Sequence, residues 1–420
     1  MSGVDFLDKL LGGVEVDWKP LGELGELVRG NGLQKKDFTE TGFPAIHYGQ
    51  IYTYYGLSTT ETKSFVSLDL AKQLKKVNKG DVVITNTSEN FEDVGKALVY
   101  LGEQQAVTGG HASILKPGEC LLGKYFAYFT QTEEFSGAKR KYAKGTKVID
   151  VSATDMAKIQ IPIPCPNNPK KSLEIQAEIV RILDAFTELT TELTTELTTR
   201  KKQYNHYRDQ LLSFEDGNVE WTTLGKVALI QRGASPRPIA KFITDDKNGV
   251  PWIKIGDTSP GSKYVEETAQ KITLEGARSS RVLDKGDFIL SNSMSFGRPY
   301  ILDISGAIHD GWASISKFSE TLNPDFLYHY LSSNAVQNYW AGKINSGSVS
   351  NLNADIIKAL PIPSPSLAQQ EKIVELLDKF DALTNSITEG LPREIELRQK
   401  QYEHYRNLLL SFPKQESETA

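Results

Sequence analysis

The sequence predicts a mixed α+β fold in which two strand-rich domains, in a pseudo-two-fold arrangement, are separated by an antiparallel two-helix coiled coil. Three observations support this prediction. At 420 residues the chain is too long for one ordinary hydrophobic core. Its two halves repeat the same motifs in the same order, and each half passes from strand-like segments into a long amphipathic helix.

The duplication covers nearly the whole chain, at an offset of about 200 residues. The kept order indicates two copies of one unit, and a two-fold axis perpendicular to the helices would make them antiparallel. The sequences around both termini also resemble the middle of the chain, so the unit is predicted to be circular with its termini close together. The matching segments are "VDWKPLG" (16–22) with "VEWTTLG" (219–225), "KGDVVITN" (79–86) with "KGDFILSN" (285–292), "HASI" (111–114) with "WASI" (312–315), "DMAKIQIPIPCP" (155–166) with "DIIKALPIPSP" (355–365), "IVRILDAF" (179–186) with "IVELLDKF" (373–380), and "RKKQYNHYRDQLLSF" (200–214) with "RQKQYEHYRNLLLSF" (398–412).

Each copy begins with about 150 residues of strand-like sequence. The runs "DVVITNT", "KYFAYFT", "PWIKIGD" and "DFILSNS" are rich in β-branched and aromatic residues and are separated by Gly, Asn, Asp and Pro, which is typical of strands and turns. The prolines of "PIPCPNNPKKS" and "PIPSPS" then exclude a continuous helix and predict a stiff connector.

The helical parts carry a coiled-coil pattern. Apolar residues step by four and three from Ile175 to Leu193. The word "TELT" occurs three times within 187–198, and the step from Leu193 to Leu197 is a second consecutive four, a stutter that unwinds a supercoil locally. The second copy has "ITEGLPRE" instead, in which Gly390 and Pro392, on either side of Leu391, predict the end of one helix and the start of another.

These patterns set the expected domain boundaries. Residues 1–166 and 217–365 are predicted to form the two strand-rich domains. The helical spacer between them covers 167–216 and contains the TELT repeats, a second helical spacer covers 366–413, and a tail covers 414–420.

Composition and charge exclude several classes of protein. A net charge of −5 and a pI near 5.8 argue against a nonspecific DNA-coating protein but leave open a sequence reader with local basic patches. Cys120 and Cys165 have no zinc-ligand spacing, so neither a metal site nor a disulfide framework is expected. The sequence contains no apolar stretch of membrane-spanning length and no signal-peptide pattern, which predicts a cytoplasmic chain without a membrane partner.

The duplicated pattern of a strand-rich domain, a "PIP" connector, an "IVxxLDxF" helix and a "QYxHYRxxLLSF" helix end resembles the specificity subunit of type I restriction-modification enzymes. It is most similar to the type IC branch, whose central helix carries tandem four-residue repeats. The resemblance implies two target-recognition domains that each read one half of a split, asymmetric site in double-stranded DNA. It also implies helices that dock two adenine methyltransferase subunits, and motor-nuclease subunits that join for cleavage.

No catalytic motif accompanies this pattern. The sequence lacks an Asn/Asp-Pro-Pro-aromatic motif with a glycine-rich cofactor loop, a GxxxxGK[ST] motif and a nuclease motif. The chain is therefore expected to be non-catalytic and to hold no cofactor, with S-adenosylmethionine, ATP and Mg on the partner subunits that the resemblance implies. The alternatives are a non-catalytic protein-binding scaffold or inhibitor with duplicated domains and, less favoured, a stand-alone enzyme.

Polar clusters at equivalent places in the two copies are the candidate DNA contacts, because Arg, Lys, Asn and Gln read bases and Ser, Thr and Lys contact phosphates. The other interpretation of each cluster is a polar hairpin loop, a solvated turn or a solvated charge pair. The candidates are Asn86, Thr87, Ser88 and Asn90 with Asn292, Ser293, Ser295 and Arg298; Lys139, Arg140, Lys141, Lys144 and Thr146 with Lys343, Asn345, Ser346 and Ser348; and Arg232 and Arg237 with the looser analogue Lys35 and Lys36.

The helix ends carry His206 and His404 in "YxHYR". No second ligand accompanies either histidine, so we expect a partner-facing or solvated side chain and not a metal ligand. The tyrosines of the same motif, Tyr204, Tyr207, Tyr402 and Tyr405, are predicted to lie in the coiled-coil core. At the rise of an α-helix, residues 173–214 would span roughly 60 Å and each four-residue TELT word would add about 6 Å. The number of words could therefore set the distance between the two DNA-reading domains, as a ruler does.

Overall fold

The computed structural model describes residues 13–214, 219–259, 261–292, 297–345, 351–386 and 389–412. The chain divides into two compact units, residues 1–189 with 398–420 and residues 190–397. Each unit contains one strand-rich domain and parts of the helices. The predicted fold class, mixed α+β with two strand-rich domains and a long helix between them, is confirmed.

The described part of the first domain is built on two five-stranded sheets with the strand orders β2-β12-β8-β10-β5 and β3-β6-β4-β11-β7. Its central strand, of sequence "VVIT", is buried on both faces, which explains its continuous apolar sequence. The strands are β1 Val16–Pro20, β2 Gly25–Arg29, β3 Phe38–Thr39, β4 Phe43–Ile46, β5 Ser58–Thr59, β6 Ser64–Val66, β7 Lys75–Val77, β8 Val82–Thr85, β9 Thr87–Ser88, β10 Ala97–Tyr100, β11 Ala106–Thr108, β12 Ala112–Pro117, β13 Ile149–Asp150 and β14 Gln160–Pro164.

The second domain repeats this plan with the orders β16-β25-β22-β23-β19 and β17-β20-β18-β24-β21. Its strands are β15 Glu220–Thr223, β16 Leu229–Arg232, β17 Ile243–Thr244, β18 Val250–Ile253, β19 Tyr264–Val265, β20 Lys271–Ile272, β21 Arg281–Leu283, β22 Phe288–Ser291, β23 Pro299–Leu302, β24 Gly306–Ile308, β25 Trp312–Ser316 and β26 Pro361–Ser364.

Short helices cover the sheets, and long helices connect and follow the domains. In chain order the α-helices are α1 Leu21–Leu24, α2 Tyr48–Thr53, α3 Leu68–Gln73, α4 Gly123–Phe129, α5 Glu133–Arg140, α6 Ala153–Met156, α7 Pro169–Leu211, α8 Leu224–Val227, α9 Leu274–Arg278, α10 Pro324–Leu331, α11 Asn334–Asn345, α12 Ala354–Lys358, α13 Leu367–Asn385 and α14 Gly390–Leu410. None of the helices in the described ranges is long and apolar enough to span a membrane.

The TELT words lie inside α7, a single helix of 43 residues. Threonine lowers helix propensity because its hydroxyl competes for backbone groups. Here that hydroxyl bonds within the helix: the Thr194, Thr195, Thr198 and Thr199 hydroxyls each donate to the carbonyl four residues earlier, at 2.7–3.0 Å. The repeat is therefore compatible with an unbroken helix.

The break predicted in the second helical region is confirmed. The helix α13 ends at Asn385, and α14 begins at Gly390 with Pro392 in its first turn. Proline is tolerated there because the first amides of a helix have no intrahelical acceptor.

Two predictions of local structure are wrong. The run "KYFAYFT" forms α4 instead of a strand; Tyr125 to Phe129 are all at most 1% exposed, so a helix that is apolar on every face is fully buried. The "PIP" segments are not free connectors but strands: β14 pairs with β1, and β26 with β15, both antiparallel. Their prolines lie at alternate positions, where edge strands tolerate a missing amide.

The strand register also corrects the alignment of "HASI" with "WASI". The amide of Asn86 donates to the carbonyl of His111, and the amide of Asn292 donates to that of Gly311. His111 therefore corresponds to Gly311, and Trp312 to Ala112. The sequence match is offset by one residue from the structural one.

Each domain core includes helix residues that lie far away in sequence. In the first unit Tyr402, Leu409 and Phe412 of the last helical segment join the core that contains Leu21 and Phe126. In the second unit Tyr204 and Leu212, from the end of α7, join the core that contains Phe288 and Phe326. The domain boundaries predicted from sequence stay a prediction, since these cores cross them.

Candidate nucleic-acid interface and helix junctions

Asn86 and Asn292 follow the central strands of the two domains and bond within the protein. Asn86 is fully buried; its Nδ2 donates to the carbonyl of Val151 at 2.7 Å, and its Oδ1 accepts from the Ser113 hydroxyl at 2.8 Å. Asn292 is 8% exposed, and its Nδ2 donates to the carbonyl of Asp310 at 3.1 Å. The prediction that these amides contact DNA is corrected, because neither faces solvent.

Thr87 and Ser88 form β9 and are also nearly buried. The Thr87 hydroxyl lies 2.8 Å from Nδ1 of His111. Both are removed from the contact set for the same reason. Asn90, two residues further, is exposed, although its amide bonds to the carboxylate of Asp93 at 2.8 Å. The exposed part of this segment therefore begins after β9.

Lys139 is the largest departure from the predicted basic cluster. It is 5% exposed, and its Nζ donates to the carbonyls of Phe91 at 3.0 Å, Glu92 at 3.4 Å and Val94 at 2.5 Å. Burial lowers its pKa to about 8. The ammonium therefore holds the loop after β9 in place and is not available to DNA.

The rest of that cluster is on the surface. Arg140 is exposed and lies over the ring of Phe91, with its guanidinium carbon 4.3 Å from the ring centroid. Lys141 and Thr146 are exposed as well. These three residues form an exposed segment next to the loop that Lys139 anchors.

Lys144 has an exposed side chain, but it is one of two lysines that bind Asp155. The Asp155 carboxylate accepts from Lys158 at 2.8 Å and from Lys144 at 3.1 Å, as well as from the Ser152 hydroxyl at 3.0 Å. These hydrogen bonds, that of Lys158 first, hold the pKa of Asp155 well below its usual range. Lys144 therefore serves the fold at least in part.

Arg232 has a structural counterpart that the sequence comparison missed. Nε of Arg232 donates to the carbonyl of Asp310 at 3.3 Å, and Nε of Arg29 donates to the carbonyl of Gly110 at 2.9 Å. Both arginines end the strand that pairs with β25 or β12. The proposed analogy of Arg232 to Lys35 and Lys36 is thus replaced by Arg29. The sequence already indicated that Arg29 and Arg232 correspond, since both copies have "RG" at the end of an apolar strand.

Arg237 and the lysine pair are exposed. The Arg237 side chain is 83% exposed and lies 3.4 Å from the Asp310 carboxylate. Burial would raise the pKa of Asp310, but the Ser235 hydroxyl, His309 and Arg237 together lower it. Lys35 and Lys36 lie in a short 3₁₀ turn, Lys35–Asp37, with both side chains in solvent.

The remaining candidate DNA contacts of the second domain differ in their exposure. Arg298 is half-buried, with its guanidinium 5.5 Å from the ring centroid of Tyr300. Lys343 is exposed near the ring of Tyr339. Asn345 is the last residue of α11. Ser293, Ser295, Ser346 and Ser348 lie outside the described residues.

Of the four helix-end tyrosines that were predicted to lie in the core, two are buried and two stack on a neighbouring ring. Tyr204 and Tyr402 are buried. Tyr207 stacks on Phe380 in the second unit, and Tyr405 stacks on Phe186 in the first, with interplanar angles of 24° and 21°. Tyr207 remains 44% exposed. His206 and His404 are exposed on the same helices.

Sequence analysis missed a pair of buried glutamines that join helix to domain. Gln176 on α7 accepts from the Leu122 amide at 2.8 Å, and its Nε2 donates to the carbonyl of Cys120 at 2.8 Å. Gln370 on α13 does the same with Asn323 and the Thr321 carbonyl, at 2.7 and 3.0 Å. Both glutamines are fully buried. The sequence did contain a sign of this pair, because a glutamine occurs at the same position of the apolar pattern in both helices.

Comparison with known proteins agrees with the duplicated architecture. Residues 14–200 and 218–397 each match the family model described as the type I restriction modification DNA specificity domain. The specificity subunit of the EcoR124I and EcoR124II restriction enzymes of Escherichia coli is 37% identical over 430 residues, covering 99% of both chains. A putative type I specificity subunit of Haemophilus influenzae is 33% identical and covers 97% of this chain and 98% of its own.

Solved structures show the same fold at low sequence identity. A chain from a study of complex assembly and conformational transition of the type I restriction-modification system superposes with a TM-score of 0.63 at 15% identity, covering 94% of this chain and 97% of that one. The S subunit of M. genitalium superposes with a TM-score of 0.54 at 16% identity, covering 96% and 98%.

Proposed function

Because this chain belongs to the type I restriction-modification DNA specificity family, we propose that its two strand-rich domains are target-recognition domains that each bind one half of a split, asymmetric DNA site. The observation that carries this proposal is the duplication: two family matches, one per domain, on two sheets of the same topology. As a specificity subunit, the chain recognises DNA and does not itself catalyse a reaction.

The catalytic chemistry belongs to partner subunits in this proposal. The two equivalent helical regions dock two adenine methyltransferase subunits, and motor-nuclease subunits join for cleavage. S-adenosylmethionine, ATP and Mg are held by those partners, and the complex works in the cytoplasm. The exposed His206 and its exposed counterpart His404 give the two docking faces a shared chemistry.

The TELT repeat is the ruler in this proposal, and it assigns the chain to the type IC branch with four-residue repeats. Each word adds about 6 Å of helix, against about 3.4 Å per base pair of DNA. The boundaries 1–166, 167–216, 217–365 and 366–413, with the tail 414–420, describe the readers and spacers. The continuous α7 supports this role, because an unbroken helix transmits an inserted word as a change in length.

The DNA contacts of the proposal are the exposed members of the predicted clusters. They combine cations that can contact phosphates or guanines with the short polar side chains nearby. They are Lys35, Lys36, Asn90, Arg140, Lys141, Lys144 and Thr146 for the first half-site and Arg232, Arg237 and Lys343 for the second.

Co-expression with the methyltransferase partner and genome-wide mapping of methylated adenine test the whole proposal. We expect one split motif whose gap grows when a fourth TELT is inserted into α7. Methylation with an unchanged gap would remove the ruler and keep the readers. No methylation at any defined sequence would favour the protein-binding scaffold or inhibitor.

The contact residues can be tested one half-site at a time. Arg232→Ala with Arg237→Ala should reduce occupancy of the second half-site, by about 1–3 kcal/mol for each base-reading arginine, and leave the sequence of the first half unchanged. The matched control is Arg278→Ala, an exposed arginine of the same domain outside the contact set. An equal effect of the control would mean that only net charge matters.

A further inference from the structure

A polar cavity of about 380 Å³ lies in the second unit, where the end of α7, the helices α10 and α13 and the start of β23 meet. Its walls include Arg208, Arg298, Ser332, Asp381 and Asn385. This volume is at the lower end of the range found for small-molecule sites. The proposed DNA recognition does not use it.

Arg208 is the unusual side chain of this cavity. Its side chain is only 7% exposed, and its Nε has no hydrogen-bond partner among the described residues. The closest carboxylate oxygen bound to it, on Asp209, is 3.5 Å from Nη2, which is a weak contact. Its guanidinium carbon lies 5.3 Å from the ring centroid of Tyr204, and Arg208 also hydrogen-bonds to that tyrosine, so Tyr204 orients the guanidinium while Nε stays unused. A buried guanidinium with an unused donor that lines a cavity points to a ligand that accepts hydrogen bonds.

The other walls favour an oxyanion. Arg298 supplies a second guanidinium and Ser332 a hydroxyl. Asn385 supplies an amide with one N–H left over, because its Nδ2 also donates to Asp381 at 2.9 Å, and Asp381 is the one carboxylate among the residues that line the described cavity. Guanidinium groups bind phosphate and carboxylate oxygens in pairs. Donors that come from four separate elements suit the tetrahedral oxygens of a phosphate better than the planar oxygens of a carboxylate.

The two units differ at the wall of the cavity that Ser332 forms. Ser333 and Thr132 cap the helices α11 and α5 through the same hydrogen bond, so Ser332 corresponds to Gln131. In the first unit the Gln131 amide oxygen accepts from the Tyr402 hydroxyl at 2.6 Å. In the second unit the equivalent Tyr204 bonds to His329 instead, at 3.0 Å. A small serine thus stands where the first unit has a longer side chain.

We infer that this cavity binds a phosphate group, either as the free ion or as the phosphate of a small monoester such as a nucleoside monophosphate. Arg208 binds through its free Nε and Arg298 through its fork, while Ser332 leaves the space that the ligand occupies. Asp381 accepts a hydroxyl or a protonated oxygen of the ligand. None of the proposed DNA contact residues lines the site, which lies in the second unit.

Isothermal titration of the full-length chain at low ionic strength tests this inference, with inorganic phosphate and adenosine monophosphate as probes and chloride as the ionic-strength control. We expect one saturable site per chain. Ser332→Gln, which introduces the residue of the first unit, and Arg298→Gln should each weaken binding at least tenfold. Arg406→Gln, at the position equivalent to Arg208 in the first unit, should leave the affinity unchanged. Tighter binding of adenosine monophosphate than of phosphate would identify a nucleotide as the source, and equal binding would identify the free ion.

Two results would overturn the inference. One is the absence of saturation by either probe below about 10 mM, which corresponds to less than roughly 3 kcal/mol of binding free energy. The other is saturable binding that Ser332→Gln and Arg298→Gln leave unchanged, which would mean an adventitious ion only. Ser332→Gln keeps both arginines, so its effect is independent of any loss of folding caused by removing the buried Arg208.

Discussion

Asp184 and Asp378 occupy the same position in the duplicated "LDxF" helix, yet the two domains bind them with different side chains. In the first unit Asp184 accepts from the Tyr128 hydroxyl and from Lys124, both at 2.7 Å. In the second unit Asp378 lies 2.7 Å from Nε2 of the buried His329. The helix supplies a constant acceptor, whereas each domain supplies its own donor. Each junction therefore requires a hydrogen-bond donor at this position, but the residue that supplies it can differ.

The lysine that binds this aspartate also comes from a different place in each unit. The position of Lys124 is taken by Asp325 in the second unit, which would place two carboxylates together. Lys263 comes from a different loop and binds both, at 2.7 Å to Asp325 and 3.0 Å to Asp378. Burial alone would lower the pKa of Lys263, but the two carboxylates raise it above its ordinary value. A charge reversal is thus compensated from elsewhere in the same domain.

A second pair of equivalent positions differs even more. Gly95 and Gly297 have φ values of +79° and +78°, and each faces the helix that covers the central sheet. In the first unit that helix presents Phe135 and Lys139, and in the second it presents Trp340. One domain fills the site with a buried ammonium that binds loop carbonyls, the other with a buried indole.

The largest expected effect comes from removing the indole. Trp340→Ala should destabilise the second domain by about 3–5 kcal/mol, because a fully buried aromatic side chain is replaced by a cavity. Hydrogen exchange of β22 in the intact chain measures this, since it reports each domain separately. The strands of the first domain serve as the internal control. Equal loss of protection in both domains would show that they do not unfold independently.

Replacing Gly95 and Gly297 by alanine, one at a time, measures how differently the two positions are packed. Both substitutions pay a similar cost for a left-handed backbone, roughly 1–2 kcal/mol. A Cβ on Gly297 would lie 2.6 Å from Cε3 of Trp340, whereas a Cβ on Gly95 would lie 3.2 Å from Phe135. We therefore expect Gly297→Ala to cost more than Gly95→Ala by about 1–3 kcal/mol of overpacking. Equal values in denaturant unfolding of the two variants would contradict this reading.

The helix junctions can be compared with a pair of hydrogen-bond deletions. His329→Ala removes the hydrogen-bond partner of the buried Tyr204 hydroxyl and one of the two partners of Asp378, which keeps Lys263, and should cost about 2–3 kcal/mol. Tyr128→Phe removes one hydroxyl from an Asp184 that keeps Lys124, and about 1 kcal/mol is expected. Protection of the amides in α13 and in the first half of α7 reports the two junctions. A larger effect at Tyr128 would mean that the lysine does not compensate.

A further expected effect is a pH dependence confined to the first domain. The pKa of Lys139 is about 8 in the folded chain and about 10.4 when unfolded. Between these values the unfolded chain holds a proton that the folded chain has lost, so the free energy of unfolding rises with pH across this window.

Relative to Lys139→Met, the wild type should gain about 2 kcal/mol between pH 7 and pH 10. Denaturant unfolding at the two pH values measures the gain, with the exposed Lys141→Met as the matched control. A difference between wild type and Lys139→Met that is constant with pH would contradict the buried state of this lysine.

Part of the corrected site was readable in advance. Lys139 follows Phe135 by four residues, so the helix that buries Phe135 also buries Lys139. Asn86 and Asn292 recur in both copies, and a residue shared by two domains that read different half-sites is expected to serve the scaffold. The strand nature of "PIP" and the helix of "KYFAYFT" were not readable, because isolated apolar runs do not distinguish the two structures.

The sequence alone determined the duplication, the two strand-rich domains, the long helix and the family, because these depend on periodicity and on repeated motifs that survive without coordinates. The tertiary structure decided which polar residues are exposed, that Arg29 and not Lys35 matches Arg232, and that Gln176 and Gln370 join helix to domain. It also decided that Ser332 lines a cavity, whereas the equivalent Gln131 bonds to Tyr402. The physical reason is that burial and hydrogen-bond partners come from residues hundreds of positions apart, such as Tyr402 and Gln131, and no local pattern records such contacts.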